Sequence, residues 1–220
     1  FLAIASRSAR TIGISGGERS GKSAAGTAAV ACCLPWCKLV WLLAPDYKQA
    51  RAEFEYLQDY LLKLGVVDPK NISMHFEEQC HLETNWGTKV ETKSSTDPTK
   101  IASFAPDMIL MVEAGQQPYM AFLKAQARVA EKRGLLILTG TFEGMESQRW
   151  YEHLYWKGVR PNDDELLCFS MPSWSNTKVY PGGRNDPEIH KLERLLGPTL
   201  FSERCGGVPI KSEGLVFREF

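Results

Sequence analysis

The residues Gly16-Gly17-Glu18-Arg19-Ser20-Gly21-Lys22-Ser23 carry the most specific chemical pattern in the chain, a glycine-rich turn closed by lysine and serine at the spacing G-x-x-x-x-G-K-[ST]. Glycines at this density let the backbone turn tightly enough to aim several N–H groups at one phosphate chain. Lys22 supplies a point charge for terminal phosphates, and Ser23 offers a hydroxyl to Mg²⁺. The flanks suit the chemistry. Thr11–Ser15 reads as a short strand, and the Ala-rich run Ala24–Leu34 reads as a helix. Phosphates would then meet a helix N-terminus, where unpaired N–H groups and the helix dipole favour anions. A glycine turn with no ligand would not require Lys and Ser after its last glycine. Gly16 through Ser23 are therefore the candidate binding residues for ATP, with Ser23 a candidate metal ligand.

Three further segments could complete such a site. Met108-Ile109-Leu110-Met111-Val112-Glu113 is a buried-type apolar run that ends in a carboxylate. At the carboxyl end of a strand, Glu113 would face the terminal phosphate and act as general base toward water, and it is a second candidate metal ligand. The usual hydrolase form is four apolar residues, then Asp, then Glu. Val112 stands at the Asp position, so Mg²⁺ would depend on Ser23, phosphate oxygens, water and Glu113. In Leu136-Ile137-Leu138-Thr139-Gly140-Thr141 a second apolar run ends in hydroxyls around a glycine, and Thr139 and Thr141 would sense the phosphate or the lytic water. A plain strand-to-turn junction explains the same residues. Leu42-Leu43-Ala44-Pro45-Asp46 leads from a strand into a helix, either near nucleic acid or as an ordinary turn.

These sites need a scaffold that alternates strands and helices. Strand-like runs fall at Thr11–Ser15, Leu39–Ala44, Met108–Val112, Leu135–Thr139 and Leu166–Ser170. Helix-like runs fall at Gly21–Leu34, Lys48–Leu64, Tyr119–Lys132, Ser147–Trp156 and Glu188–Leu196. The alternation predicts a parallel sheet covered by helices on both faces. Phe54, Leu57, Leu61 and Leu64 make a core-facing stripe at helical spacing. Ile72–Ser94 breaks the alternation with antiparallel pieces at Ile72–Phe76, Gln79–Thr84 and Lys89–Ser94, turning at Asn85-Trp86-Gly87, and Thr96-Asp97-Pro98 opens a loop. Beyond Gly197 the pattern thins into a linker or docked arm.

Composition bounds the function classes. With 220 residues, 44% apolar and 24% charged, the chain has the make-up of a globular domain. No run approaches the ~18 apolar residues of a membrane span. The formal net charge is +0, so bulk electrostatics do not announce a nucleic-acid partner, although a local basic patch would still serve. The 6 cysteines include no C-x-x-C pair, and with 4 histidines they complete no zinc pattern. They read as reduced structural thiols, with Cys32 and Cys33 on the buried side of the helix after the loop. The chain starts at Phe1 without a basic leader and is expected to be a fragment. Trp150, Tyr151, Tyr155 and Trp156 read as core or domain-interface residues rather than a base-stacking platform. The histidines read as structural.

Taken in order, the loop at Gly16–Ser23, the Ala44-Pro45 element with Gln49-Ala50, the Val112-Glu113 strand end and Thr139-Gly140-Thr141 resemble the ATPase domain of large terminase subunits, the genome-packaging motors of tailed bacteriophages. The resemblance covers nearly the whole chain. It implies an α/β P-loop NTPase fold of the ASCE type, with a mainly parallel central sheet flanked by helices and a small antiparallel extension. It implies residues 1–197 as the ATPase domain. Residues 198–220, ending in Gly214–Phe220, would lead toward a nuclease domain beyond the chain. It also implies ATP hydrolysis with Mg²⁺, double-stranded DNA as the moved substrate, portal protein and small terminase subunit as partners, a ring (usually a pentamer), no membrane, and work in the host cytoplasm at the procapsid portal rather than in the mature virion. Some members carry an arginine finger within the loop, four residues before the lysine. Glu18 holds that place here, with Arg19 one position along. A finger in trans would come from Arg128 or Arg133, or more weakly from Lys100. Arg7 and Arg10 lie where the family contacts adenine.

Two other classes remain open on the residues alone. A small-molecule P-loop kinase needs neither Glu113 nor the Thr-Gly-Thr site, and an arginine-rich lid would mark it. A nucleotide-dependent DNA-binding module, or another helicase-like ATPase, would share the loop and differ in turnover.

Overall fold

The computed structural model describes residues 9–75, 78–96, 101, 104–144, 146–160 and 165–210. Among the described residues, eight strands form one sheet: β1 (Thr11–Gly16), β2 (Leu39–Ala44), β3 (Ile72–Ser73), β4 (His81–Glu83), β5 (Lys89–Ser94), β6 (Met108–Met111), β7 (Leu135–Gly140) and β8 (Leu166–Met171). Their spatial order is β3-β4-β5-β2-β6-β7-β1-β8. The pairings from β5 through β8 are all parallel, whereas β3–β4 and β4–β5 are antiparallel. The α/β architecture with a small antiparallel extension is as the sequence predicts.

Among the described residues, four α-helices connect the strands, α1 (Lys22–Cys33), α2 (Tyr47–Lys63), α3 (Tyr119–Glu131) and α4 (Arg149–Gly158), and a fifth, α5 (Pro187–Arg204), follows β8. Side chains along a strand alternate between faces, and the core divides accordingly. Val40, Leu42, Leu110, Val112 and Ile137 pack with Ala29 and Val30 of α1 and with Ala50, Phe54 and Leu57 of α2. Trp41, Leu43, Ile109, Met111 and Leu136 pack on the other face with Phe122 and Ala125 of α3 and Tyr151 and Tyr155 of α4. Of the aromatic group on α4, Tyr151 and Tyr155 are core, and the half-buried Trp150 and Trp156 pack against this second layer.

Several expectations are corrected. Lys89–Ser94 is not simply an antiparallel piece. It pairs parallel with β2 on one side and antiparallel with β4 on the other, because its Val90, Thr92 and Ser94 are all buried in the main sheet. Leu64 caps α2 and is 68% exposed, since the helix ends at Lys63 before its stripe can return to the core. Cys32 is exposed and Cys33 half-buried, because the buried side of α1 runs through Gly26, Thr27, Ala29 and Val30. The last helix runs past Leu196 to Arg204, broken by the left-handed Gly197 (φ 68°) before Pro198. Residues Phe76, Asp97, Pro98, Lys100, Arg7 and Gly214–Phe220, each part of an expectation above, lie outside the described residues.

Candidate active site

The carboxyl ends of β1, β2, β6 and β7 meet on one edge of the sheet, and the chemistry gathers there. β1 delivers the glycine-rich turn, and β7 lies directly beside it, with Ile14 opposite Thr139 and Ser15 opposite Gly140. Gly21 (φ 93°) starts α1, whose N-terminus has no side-chain cap. The first N–H groups of α1 are thus left for a ligand. Within the turn Glu18 and Arg19 are exposed, Ser20 is buried, and Gly21, Lys22 and Ser23 are half-buried.

Glu113 follows β6 in a left-handed conformation (φ 47°, ψ 52°), which ends the strand and turns the carboxylate toward the loop. Its Oε1 lies 3.4 Å from Lys22 Nζ. The turn is held by a residue that no sequence motif singles out. Buried Gln117 donates from Nε2 to the carbonyls of Val112 (2.7 Å) and Leu43 (3.1 Å), tying β2 to the bend that presents Glu113. No periodicity marks a glutamine as buried, so only its place just after the strand-end glutamate offers a signal.

A second such residue is Glu53. It sits on α2, is 4% exposed and lies near enough to the Ser23 side chain to interact with it. Burial pushes its carboxyl up from the ordinary range. Ser23 lowers it, the Glu113 charge adds to the rise, and Lys22 opposes that. Its Oε2 has no hydrogen-bond partner among the described residues. The signal in the sequence is a charge between Ala50 and Phe54 on the apolar face of α2. Ser23 and Glu113 bring to the start of α1 the oxygen chemistry that a hard cation such as Mg²⁺ selects, with the Glu53 carboxyl behind Ser23. The orphaned oxygen of Glu53 is consistent with that fit.

Thr139 is 2% and Thr141 7% exposed. The Thr139 methyl lies 2.9 Å from where a Cβ on Gly26 of α1 would stand, so Thr139 also seats α1 on the sheet. The outer half of the turn is gripped from the far end of the chain. Glu18 N–H donates to Arg204 O (2.7 Å), Gly17 N–H to Met171 O (2.9 Å), and Ser15 Oγ to Gly207 O (2.7 Å). Ser173 Oγ donates to Glu18 O (2.6 Å), and Asn176 Nδ2 to Arg19 O (2.8 Å). Arg204 Nη1 pairs with the Glu18 carboxylate at 3.4 Å. Arg19 is therefore fixed through its backbone (φ 58°) while its side chain stays exposed.

Other candidates are not brought to the loop. Arg10 precedes β1 and is exposed, and a strand's ~3.3 Å rise per residue puts it about 20 Å from Gly16 at the opposite edge. The strand thus separates Arg10 from the loop. Arg128, in the last turn of α3, and Arg133, in the bend before β7, also lie toward that opposite edge. The Pro45-Asp46 element is a capped turn in which Asp46 Oδ1 accepts from Gln49 N–H at 2.8 Å.

No family model matches the chain, and no curated protein matches it. Among solved structures, the ATPase domain of the Thermus phage P74-26 large terminase aligns with a TM-score of 0.69 at 20% identity, over 95% of this chain and 92% of that one. The large terminase of a second, thermophilic bacteriophage in complex with ADP gives 0.68 at 13% identity over 93% of this chain. The complex of that same terminase with ATP-gamma-S gives 0.65 at 12% identity, again over 93%. The chain spans about half of this second terminase, 49% and 48% of those two chains. At these identities the likeness is one of fold: the chain has the fold of large terminase ATPase domains.

Proposed function

We propose that the chain is the ATPase domain of a large terminase, hydrolysing ATP to drive double-stranded DNA into a procapsid. The observation that carries this reading is the pair Lys22–Glu113, held 3.4 Å apart over a phosphate-type loop on the same edge of a terminase-like sheet. The nucleotide-bound structures of the thermophilic phage terminase support ATP as the ligand.

The backbone N–H groups at the start of α1 would cradle the phosphates, and the Lys22 ammonium would offset charge on the β- and γ-phosphoryl groups. Ser23 and Glu113 would hold Mg²⁺, which supplies charge neutralisation along the phosphate chain. Glu113 would orient a water and take its proton as the water oxygen bonds to the γ-phosphorus. The bond from that phosphorus to the β–γ bridging oxygen breaks, and ADP departs with the electron pair. Thr139, Thr141 and Arg19 are the remaining candidates around this chemistry. A ring of copies, usually a pentamer, with portal protein and small terminase subunit at the procapsid in the host cytoplasm, belongs to the same proposal, and its support is the fold alone. Among the described residues no helix is long and apolar enough to cross a membrane.

The test is ATP turnover by the chain with and without linear double-stranded DNA. Turnover that DNA accelerates supports a packaging ATPase. Turnover indifferent to DNA while a small-molecule acceptor becomes phosphorylated would replace this reading with a kinase.

A further inference from the structure

The end of β6 poses a chemical problem. Val112 is 2% exposed and packs in the same apolar cluster as Ala50 and Phe54 of α2. A carboxylate at position 112 would point into that layer, toward the start of α1. The chain has none there, yet a carboxylate occupies the same layer from the neighbouring helix. Glu53 lies between Ala50 and Phe54, beside the Ser23 side chain. It also stands close enough to Lys22 and Glu113 for both charges to act on it.

We propose that Glu53 supplies, from α2, the carboxylate that anchors the Mg²⁺–water shell at Ser23, doing the work for which the end of β6 offers only Val112. This rests on the reading of the loop as a Mg²⁺–nucleotide site. Three observations converge. The residue is 4% exposed and carries an ionisable group on a helix face otherwise made of Ala50, Phe54, Leu57 and Leu61. Its carboxyl lies beside Ser23, the hydroxyl that the loop pattern assigns to the metal. Its Oε2 has no hydrogen-bond partner among the described residues. A buried carboxylate left half-satisfied is costly unless something with matching charge or protons meets it. A hydrated divalent cation bound at Ser23 presents both. Asp46 fixes the register of the helix by capping α2, two turns ahead of Glu53. Glu53 is thereby a positioning residue: it orients Ser23 and the metal's water rather than touching the reacting phosphorus.

The experiment is equilibrium binding of a fluorescent ATP analogue in EDTA and in Mg²⁺, repeated with Mn²⁺ and read by electron paramagnetic resonance, on the wild type and on Glu53→Gln. The amide keeps the shape and one acceptor. Glu53→Gln should bind the nucleotide in EDTA as the wild type does, which also shows that the variant is folded. The gain in affinity that Mg²⁺ brings should fall by about 10–100-fold, the range for losing a carboxylate behind a metal ligand. The bound Mn²⁺ signal should weaken in parallel. Adding Val112→Asp to Glu53→Gln should restore both, because the carboxylate returns to the same layer from the strand side. A Mg²⁺ gain and Mn²⁺ signal unchanged in Glu53→Gln would overturn the proposal while leaving the nucleotide site intact. Failure of Val112→Asp to restore them would overturn the exchange between the two positions. A wild-type chain that binds no nucleotide in either buffer would overturn the proposed function, and this inference with it.

Discussion

At the residue scale, the site separates into groups that the sequence exposes and groups that only packing creates. Lys22, Ser23 and Glu113 are legible because each closes a pattern: the end of a glycine loop, or the end of an apolar run. Glu53 and Gln117 are not. Both depend on neighbours distant in sequence, Ser23 for one and the Leu43 and Val112 carbonyls for the other. Arg10 shows the opposite relation. It stands close to the loop in sequence, but a strand intervenes and carries it to the far edge. Gly17 shows how tightly the loop is placed: a Cβ there would run into the Cys205 carbonyl, with Ser173 Oγ also in its way. The obstruction is backbone, which cannot rotate away. Gly17→Ala is therefore expected to lower stability by about 1–3 kcal/mol, as overpacking does. It should also release the 204–207 segment from the loop, seen as faster amide exchange at Glu18 in hydrogen-exchange measurements. Unchanged melting and exchange would show that the grip is loose.

At the element scale, the central strands are legible because parallel strands buried on both faces read as unbroken apolar runs. The edge is harder to read. β3 is only Ile72–Ser73, a length at which alternation carries no information. The buried polar series Thr92 and Ser94 conceals that β5 belongs to the main sheet. Two joints between elements make predictions. Asp107 Oδ2 accepts from the N–H groups of Lys38 (2.8 Å) and Leu39 (2.9 Å), and its Oδ1 meets Lys132 at 3.4 Å, tying the starts of β2 and β6 to the end of α3. Burial alone would raise its carboxyl, but the two N–H donors and the Lys132 charge hold it below the ordinary carboxylate range. A depressed carboxyl stabilises the fold above its unfolded pKa of about 4 and loses that contribution as pH falls through the folded value. Asp107→Ala should thus cost about 1–3 kcal/mol at neutral pH. The gap in melting temperature to wild type should narrow below about pH 4. A gap that widens in acid would contradict the assignment. The second joint is Gly26 against Thr139, where α1 rests on β7. Gly26→Ala forces the Thr139 methyl to move, so it should be better tolerated in a Thr139→Ser background. The coupling in a double-mutant cycle should be about 0.5–2 kcal/mol, and additive effects would show no contact.

At the scale of the whole molecule, a sheet edge gathers the loop, Glu113 and Thr139, while the end of α5 and the residues after it return to hold the loop from outside. The thin pattern past Gly197 reads in sequence only as a linker or arm. The structure adds that residues 204–207 bond directly to the loop backbone, which no local pattern announces. Arg128 and Arg133 face away from this edge, so a charge-stabilising arginine from either would have to come from another copy. Turnover per subunit should then rise with protein concentration, and Arg133→Ala should flatten that rise without altering nucleotide binding. A rate per subunit that is constant over a wide concentration range would remove the finger in trans. The central claim, that Lys22 and Glu113 form a hydrolytic pair, is tested most directly by measuring ATP binding and steady-state phosphate release together for the wild type, Lys22→Ala and Glu113→Gln. Lys22→Ala is expected to lose turnover with weakened binding, and Glu113→Gln to bind ATP as the wild type does while releasing no phosphate above background. Phosphate release at the wild-type rate by Glu113→Gln would contradict that claim.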